Sequence, residues 1–275
     1  MIHAVRALAA AAIAASLAVA LPAAAEPNIF TMLDDAVDGE HRSEANRARD
    51  VYRRPKMTLL FFGLDKDKSV VEISPSAGWY TEIIAPVLKD GGRYIAAVPK
   101  LDDKAPEAMK QRDAAYRDKL ASGRAIYGNA QITTYDPVNP SFAPAGSADL
   151  VVTFRNVHNW AKAGNTDAMF KGFFNALKKG GVLGIVEHRA KPGTDLKQQI
   201  ASGYMTEDYV IEAAERAGFK FEAAAELNSN WRDTKDYPGG VWTLPPNLRG
   251  VSEADKPKYQ AIGESDRMTL RFVKP

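Results

Sequence analysis

A doubly wound α/β fold is predicted by three observations. Short β-rich runs alternate with helical stretches from Ser69 to the end of the chain, and the runs are near-continuously apolar rather than alternating. Glycine turns, "KDGG" at Lys89 to Gly92 and "KKGG" at Lys178 to Gly181, join helix ends to the next run. Strands of that kind are buried on both faces, which requires a mostly parallel sheet with helices on either side.

In chain order, the first stretch is "MIHAVRALAAAAIAASLAVALPAAAEP". Arg6 precedes an alanine-rich apolar run, Pro22 breaks it, and small residues lead to Ala25. This reads as a secretory signal peptide over 1–25, since a spanning helix needs roughly 20 apolar residues and the run is shorter. The protein is therefore expected to be exported, periplasmic or secreted, with no stable membrane insertion once the signal is cleaved. An N-terminal helical extension follows over 26–68. Ser43 is a candidate N-cap, Ala45 to Tyr52 has helical composition, and Pro55 interrupts before a second helix at Lys56 to Phe62. "MTLLFF" within it reads as a core-packing face.

The α/β domain occupies 69–275. Its β-rich runs are Ser69 to Ser74, Gly92 to Val98, Ala130 to Asp136, Ala148 to Phe154, Gly181 to His188, Phe219 to Leu227 and Arg267 to Val273. Helices are predicted at Trp79 to Leu88, Ala105 to Leu120, Asp167 to Leu177 and Thr206 to Ala217. The two glycine turns are expected to end helices through a left-handed residue. The stretch "NSNWRDTKDYPGGVWTLPPNLRG" before the last run is too long for a turn, and is either functional or a cover over one edge.

Composition excludes several functions. Lys and Arg number 36 against 34 Asp and Glu, and no basic block is interleaved with aromatics, so nucleic acid is not the expected partner. Cysteine is absent, so no disulfide framework supports the fold. A small molecule is the expected substrate.

Ligands of open α/β sheets bind beyond the carboxyl ends of the strands, where strand order reverses. The stretch there with the most information is "EISPSAGWYTEIIAPVL", together with "TFRNVHNW", "LKKGGVLGIVEHRA" and "IGESDRMTLRF". These resemble class I S-adenosylmethionine-dependent methyltransferases, and more narrowly a group of exported bacterial predicted methyltransferases. The resemblance implies a methyltransferase-like Rossmann fold, with seven strands and the last antiparallel, and S-adenosylmethionine as cofactor. By the same resemblance Glu72 is the acidic residue ending the first strand, and Ser74, Ser76 and Gly78 occupy the three glycine positions around Pro75. Asp136 is placed for the adenine amino group. The end of the second strand, "YIAAVPKLDD", departs from the pattern: Val98 and Pro99 cannot accept hydrogen bonds from ribose hydroxyls, and Asp102 or Asp103 would have to reach back.

The physical reading of the loop is mixed. A Cβ at Ser74 disfavours positive φ and close backbone approach. Each serine nevertheless adds a hydroxyl, Pro75 stiffens the turn, and the following helix start favours an anionic group. In "FRNVHNW", Arg155, Asn156 and His158 stand just past a buried strand, which makes His158 a candidate general base with Arg155 and Asn156 facing the transferred methyl. A histidine bonded to the sheet rim is the alternative for His158. Glu187 and His188 are adjacent, so on an extended strand they point to opposite faces. No metal site is expected, because the histidines have no ligand spacing. Arg47, Arg49, Arg53 and Arg54 form a basic face able to close over the pocket, or simply a solvated one pairing with Asp50 and Glu44.

Two other functions are carried forward. One is a protein of this fold that has lost the cofactor and binds another ligand. The other is a serine hydrolase using Ser76 with Asp167 and His188, since "SPSAG" approaches a G-x-S-x-G elbow. The missing first glycine and the early strand weigh against the latter.

Overall fold

The computed structural model describes residues 28–275, so the signal call over 1–25 lies outside the described residues. The chain forms α1 (Ile29–Asp38), α2 (Glu44–Arg47), α3 (Asp50–Arg53), α4 (Pro55–Phe61), β1 (Ser69–Ile73), α5 (Thr81–Leu88), β2 (Arg93–Pro99), α6 (Glu107–Ser122) and α7 (Arg124–Tyr127). It continues through β3 (Gln131–Tyr135), β4 (Ala148–Phe154), α8 (Val157–Ala163), α9 (Thr166–Ala176), β5 (Leu177–His188), α10 (Leu196–Ser202), α11 (Glu207–Arg216), β6 (Lys220–Ala224), α12 (Lys256–Ile262) and β7 (Arg267–Val273).

All five residues of β1 are buried, and one sheet carries the whole domain. The strand order is β3-β2-β1-β4-β5-β7-β6, with β7 antiparallel to both neighbours and the pairs from β3 to β5 parallel. Order reverses between β1 and β4, so their carboxyl ends open the crevice in which such sheets bind ligands. Because β7 runs the other way, its amino end comes to that same edge.

One face of the sheet packs Val71, Ile73, Val151 and Ile185 against Phe170, Phe173 and Val210. The opposite face packs Val70, Ala96 and Val152 against Ile84, Leu88, Leu33, Leu59 and Phe62. The helices before β1 are therefore part of the second core layer, and "MTLLFF" packs there as read through Leu59 and Phe62, with Met57 exposed. Gly184 is the counterpart of Phe62: a Cβ there would lie 2.5 Å from the ring.

Local chemistry explains the smaller differences. Ser43 caps α2, accepting from Asn46 N. The helix expected over Ala45 to Tyr52 is instead two single turns separated at Ala48 and Arg49; Arg54, at φ 38°, ends the second, and Pro55 begins the next helix. "KKGG" lies within β5, where Gly180 takes φ 76° and the register to β4 shifts; it does not terminate a helix as expected. "KDGG" does follow a helix, but neither of its glycines is left-handed. Gly92 is required by crowding, since a Cβ would lie 2.6 Å from both Leu88 and the Lys66 carbonyl oxygen.

Candidate functional site

The loop after β1 has glycine-type backbone at each of its three expected glycine positions. Ser74, Ser76 and Gly78 take φ of 51°, 58° and 81°. For the two serines the left-handed region costs on the order of 1 kcal/mol each, a strain that persists only where the surroundings impose it. The Ser74 amide donates to the Ala97 carbonyl on β2, and Gly78 N closes the turn onto Pro75 O. Ser74 Oγ is 2.7 Å from the Tyr135 hydroxyl, whereas exposed Ser76 forms no side-chain hydrogen bond among the described residues. Gly78 is irreplaceable for a second reason, because a Cβ would lie 2.7 Å from the Tyr116 ring.

Two cavities meet at this loop. The larger, about 600 Å³, lies over the ends of β1 to β4 and is walled by Val98, Pro99, Tyr135, Trp160 and one face of α6. That face is Met109, Arg112, Asp113 and Tyr116, spaced i, i+3, i+4, i+7. The smaller, about 230 Å³, is lined by Arg53, Trp79, Tyr80, Arg155, His158, His188 and Arg267, and by Trp242 and Pro245 to Asn247. The long stretch before β7 is thus a cover over the site. Trp242 lies edge-on to His158 at 6.1 Å.

Each residue singled out in the sequence has a definite place. Glu72 lines the smaller cavity; its Oε2 accepts from Tyr94 (2.6 Å) and Thr81 (2.9 Å), and burial raises its carboxyl to about 7 despite those donors. Asp136 is exposed and accepts from Val138 N; it does not line either cavity. Asn156 lines both and donates from Nδ2 to the Ile73 carbonyl and to Thr153, tying β4 to the base of the loop. Arg155 takes φ 61°, and its guanidinium forms no hydrogen bond or ion pair among the described residues. Burial, then Arg267, lowers its pKa to about 10.

His158 begins α8 beside Glu187. The Glu187 carboxylate accepts from the amides of Val157 (2.6 Å), His158 (3.3 Å) and His188 (2.8 Å), and Oε1 lies 3.0 Å from His158 Nδ1. A carboxylate can only accept, so Nδ1 carries the proton and Nε2 is left as the basic nitrogen. The neighbouring His188 Nδ1 shares a 2.5 Å hydrogen bond with Ser265 Oγ, and burial, then His158 and Arg267, holds its pKa well below the usual histidine value. Consecutive Glu187 and His188 do not point apart as expected: only His188 lines the cavity, but Glu187 curls back to the His188 amide and both side chains converge on His158.

His158, Glu187 and His188 place ligand-type atoms within 4.8 Å of one another, a grouping no spacing in the sequence announces. Its chemistry suits a proton relay better than a cation. Both Glu187 oxygens are already engaged, and Arg53, Arg155 and Arg267 line the same cavity. The Ser76 triad is not assembled. Asp167 is exposed and pairs with Arg216, and His188 Nδ1 is taken by Ser265.

Two groups of site residues escaped the sequence reading. Asp113 lines the larger cavity from α6, whereas Asp102 and Asp103 do not; its signal was the helical spacing with Met109 and Tyr116. "GESDR" delivers Glu264, Ser265, Asp266 and Arg267 to the site edge. Its signal was four polar residues at the amino end of an apolar strand, meaningful only once that strand is antiparallel. Of the basic extension, Arg49 and Arg53 bond Glu264, while Arg47 bonds carbonyl oxygens and Asp50 pairs with Arg42 instead.

No family model matches the chain, and no curated protein does. Among solved structures it is similar to a SAM dependent methyltransferase from Aquifex aeolicus, with 14% identity over 90% of this chain and 98% of that one and a TM-score of 0.54. The [4+2]-cyclase SpnF gives 15% identity, 90% and 93% coverage and a TM-score of 0.57. A phosphoethanolamine N-methyltransferase 2 from Haemonchus contortus, solved with phosphomonomethylethanolamine and S-adenosylhomocysteine, gives 17% identity over 82% of this chain and 53% of that one, with a TM-score of 0.51. Identities this low speak to architecture alone, and what they establish is that the chain has the Rossmann-like fold of the class I S-adenosylmethionine-dependent methyltransferases.

Proposed function

We propose that the protein transfers a methyl group from S-adenosylmethionine to a small molecule. The observation that carries this reading is the loop backbone: three left-handed residues at the switch point, two of them serines held there against their preference. A decayed turn would be free to relax, whereas a loop shaped to a ligand keeps its form. The residues fit the cofactor's chemistry. The larger cavity has the volume and apolar lining that an adenosine needs, with Asp113 as hydrogen-bond acceptor and Ser76 as free donor. The cofactor, when bound, supplies an activated methyl on a sulfonium.

The chain's own residues do the rest. Glu187 fixes the His158 ring with Nδ1–H engaged, leaving Nε2 to take the acceptor's proton. Asn156 keeps the loop in register with β4, and Trp242 limits water above His158. We propose further that this happens outside the cytoplasm, as the leader implies; N-terminal sequencing of the protein from a cell envelope fraction tests that, and an intact Met1 would refute it.

Calorimetric titration with S-adenosylmethionine and S-adenosylhomocysteine is the deciding experiment. The expected result is one-to-one binding at micromolar affinity. No heat, and no rise in melting temperature at millimolar ligand, where even a weak site stabilises by about 1 kcal/mol, would end the reading.

A second reading is favoured by two observations. Ser74 Oγ is bonded to Tyr135 within the larger cavity, and β2 ends in Val98 and Pro99 without a carboxylate. A protein of this fold that has exchanged its cofactor for another ligand would show both, and the fold's likeness to a cyclase agrees with changed chemistry. Binding that appears only in a Ser74→Gly, Ser76→Gly variant would select this alternative.

A further inference from the structure

The smaller cavity has far more positive charge than its protein partners balance. Arg49, Arg53, Arg155 and Arg267 all act on one carboxylate, Glu264. Glu264 bonds Arg49 at 2.6 Å, Arg53 at 3.0 Å and Arg267. Among the described residues no other carboxylate pairs with these four guanidinium groups, so four cations share one paired anion. Arg53 is 1% exposed and Arg267 2%, so water does not solvate them freely.

The hydrogen-bond deficit points the same way. Both terminal nitrogens of Arg53, Nη2 of Arg49 and Nε of Arg267 are buried without a partner. The Arg155 guanidinium, on the cavity wall, has no hydrogen-bond or ion-pair partner among the described residues. The Trp79 ring lies 4.6 Å from the Arg53 guanidinium, which orients it without satisfying its N–H groups. Native interiors leave few such donors unpaired, and a buried guanidinium without an anion is strongly disfavoured. Guanidinium forks match the two-oxygen geometry of carboxylates and phosphates.

We propose that Arg53, Arg155 and Arg267 bind an acidic group, a carboxylate or phosphate, on the methyl acceptor. The acceptor is then anchored by its anion with its nucleophile toward His158 in the same cavity. This rests on the methyl-transfer reading for the acceptor's identity, but the anion site stands on its own geometry. The cofactor's own carboxylate is the other source of the same chemistry, and the test separates the two.

Inorganic phosphate and succinate are titrated into the whole protein by calorimetry, alone and with S-adenosylhomocysteine saturating. At least one probe is expected to bind one-to-one with the same affinity in both conditions. Arg155→Met, which breaks no hydrogen bond or ion pair among the described residues, should weaken the anion at least tenfold, Arg155→Lys less, and neither should change S-adenosylhomocysteine affinity more than threefold. Absence of binding by both probes, or equal binding to Arg155→Met, would overturn the proposal. So would competition between anion and S-adenosylhomocysteine with matched losses in Arg155→Met, which would assign the arginines to the cofactor. Anion binding as expected without any S-adenosylhomocysteine binding would keep the anion site and remove methyl transfer.

Discussion

The two cavities share Ser74 to Ser76, Asn156 and Asn159, yet they are built by different means. The larger is made by the sheet itself, from strand ends and one face of α6. The smaller is roofed from outside the sheet's parallel core, by α3, by the stretch before β7 and by the amino end of β7. Its charged groups come from positions more than two hundred residues apart, as in Arg53 and Glu264. The larger cavity is therefore built by the parallel strand ends and a helix beside them. The smaller depends on contacts between segments distant in the chain.

The largest test of that contrast is Glu264→Gln. Removing the acid that pairs with Arg49, Arg53 and Arg267 leaves buried like charges, a loss of about 3–5 kcal/mol and a melting temperature lower by on the order of 10 °C. Burial alone would raise the Glu264 pKa, but Arg267, Arg53 and Arg49 hold it well below the usual carboxylate value. Its contribution is present above the unfolded-state pKa and lost as pH falls below it, so the wild type should lose stability in acid more steeply than the variant. A shift under 2 °C would show that the roof is not held by this cluster.

Next is His158→Gln, expected to lower kcat a hundredfold or more while S-adenosylhomocysteine affinity changes less than threefold. Loss of cofactor binding instead would move His158 from the smaller cavity's chemistry to the larger one's. Glu72→Gln probes the wall beneath the loop. Its carboxyl is raised from 4.5 to about 7, so the native state favours the neutral form, and the cost of ionising it grows as pH rises from 4.5 through 7. The variant should match wild type near pH 4.5 and exceed it at pH 8 by up to about 3 kcal/mol. Equal differences at the two pH values would refute the assignment.

Asp113→Ala tests the larger cavity alone, with an expected tenfold loss of S-adenosylhomocysteine affinity and unchanged anion binding, since one charged hydrogen bond contributes about 1.5 kcal/mol. The smallest effect is Ser76→Gly, which relieves a left-handed serine without breaking a bond and should stabilise the free protein by about 0.5–1 kcal/mol. Destabilisation would mean that the serine hydroxyl has a partner in solution.

Strands β1, β2, β4 and the second half of β5 were legible because parallel strands buried on both faces must be apolar, and that leaves a composition signal. Helix α8 was not, because "VHNWAKA" has neither a strong period nor a side-chain cap of its own. Its cap comes from Glu187 on β5, thirty residues later. His158 could be named from its strand-end position, but its orientation could not. Asp113 was hidden for a related reason: a polar residue on a polar helix looks solvated until the sheet stands beside it.

By itself the sequence determined the layered α/β architecture, the loop at the switch point and the candidate base, since local periodicity and strand-end position are encoded within short stretches. Only the tertiary structure decided that serines take glycine's backbone, that Glu187 orients His158, and that one glutamate faces four arginines. Those are contacts between segments distant in the chain, and their energies depend on burial and distance, which no local pattern of residues records.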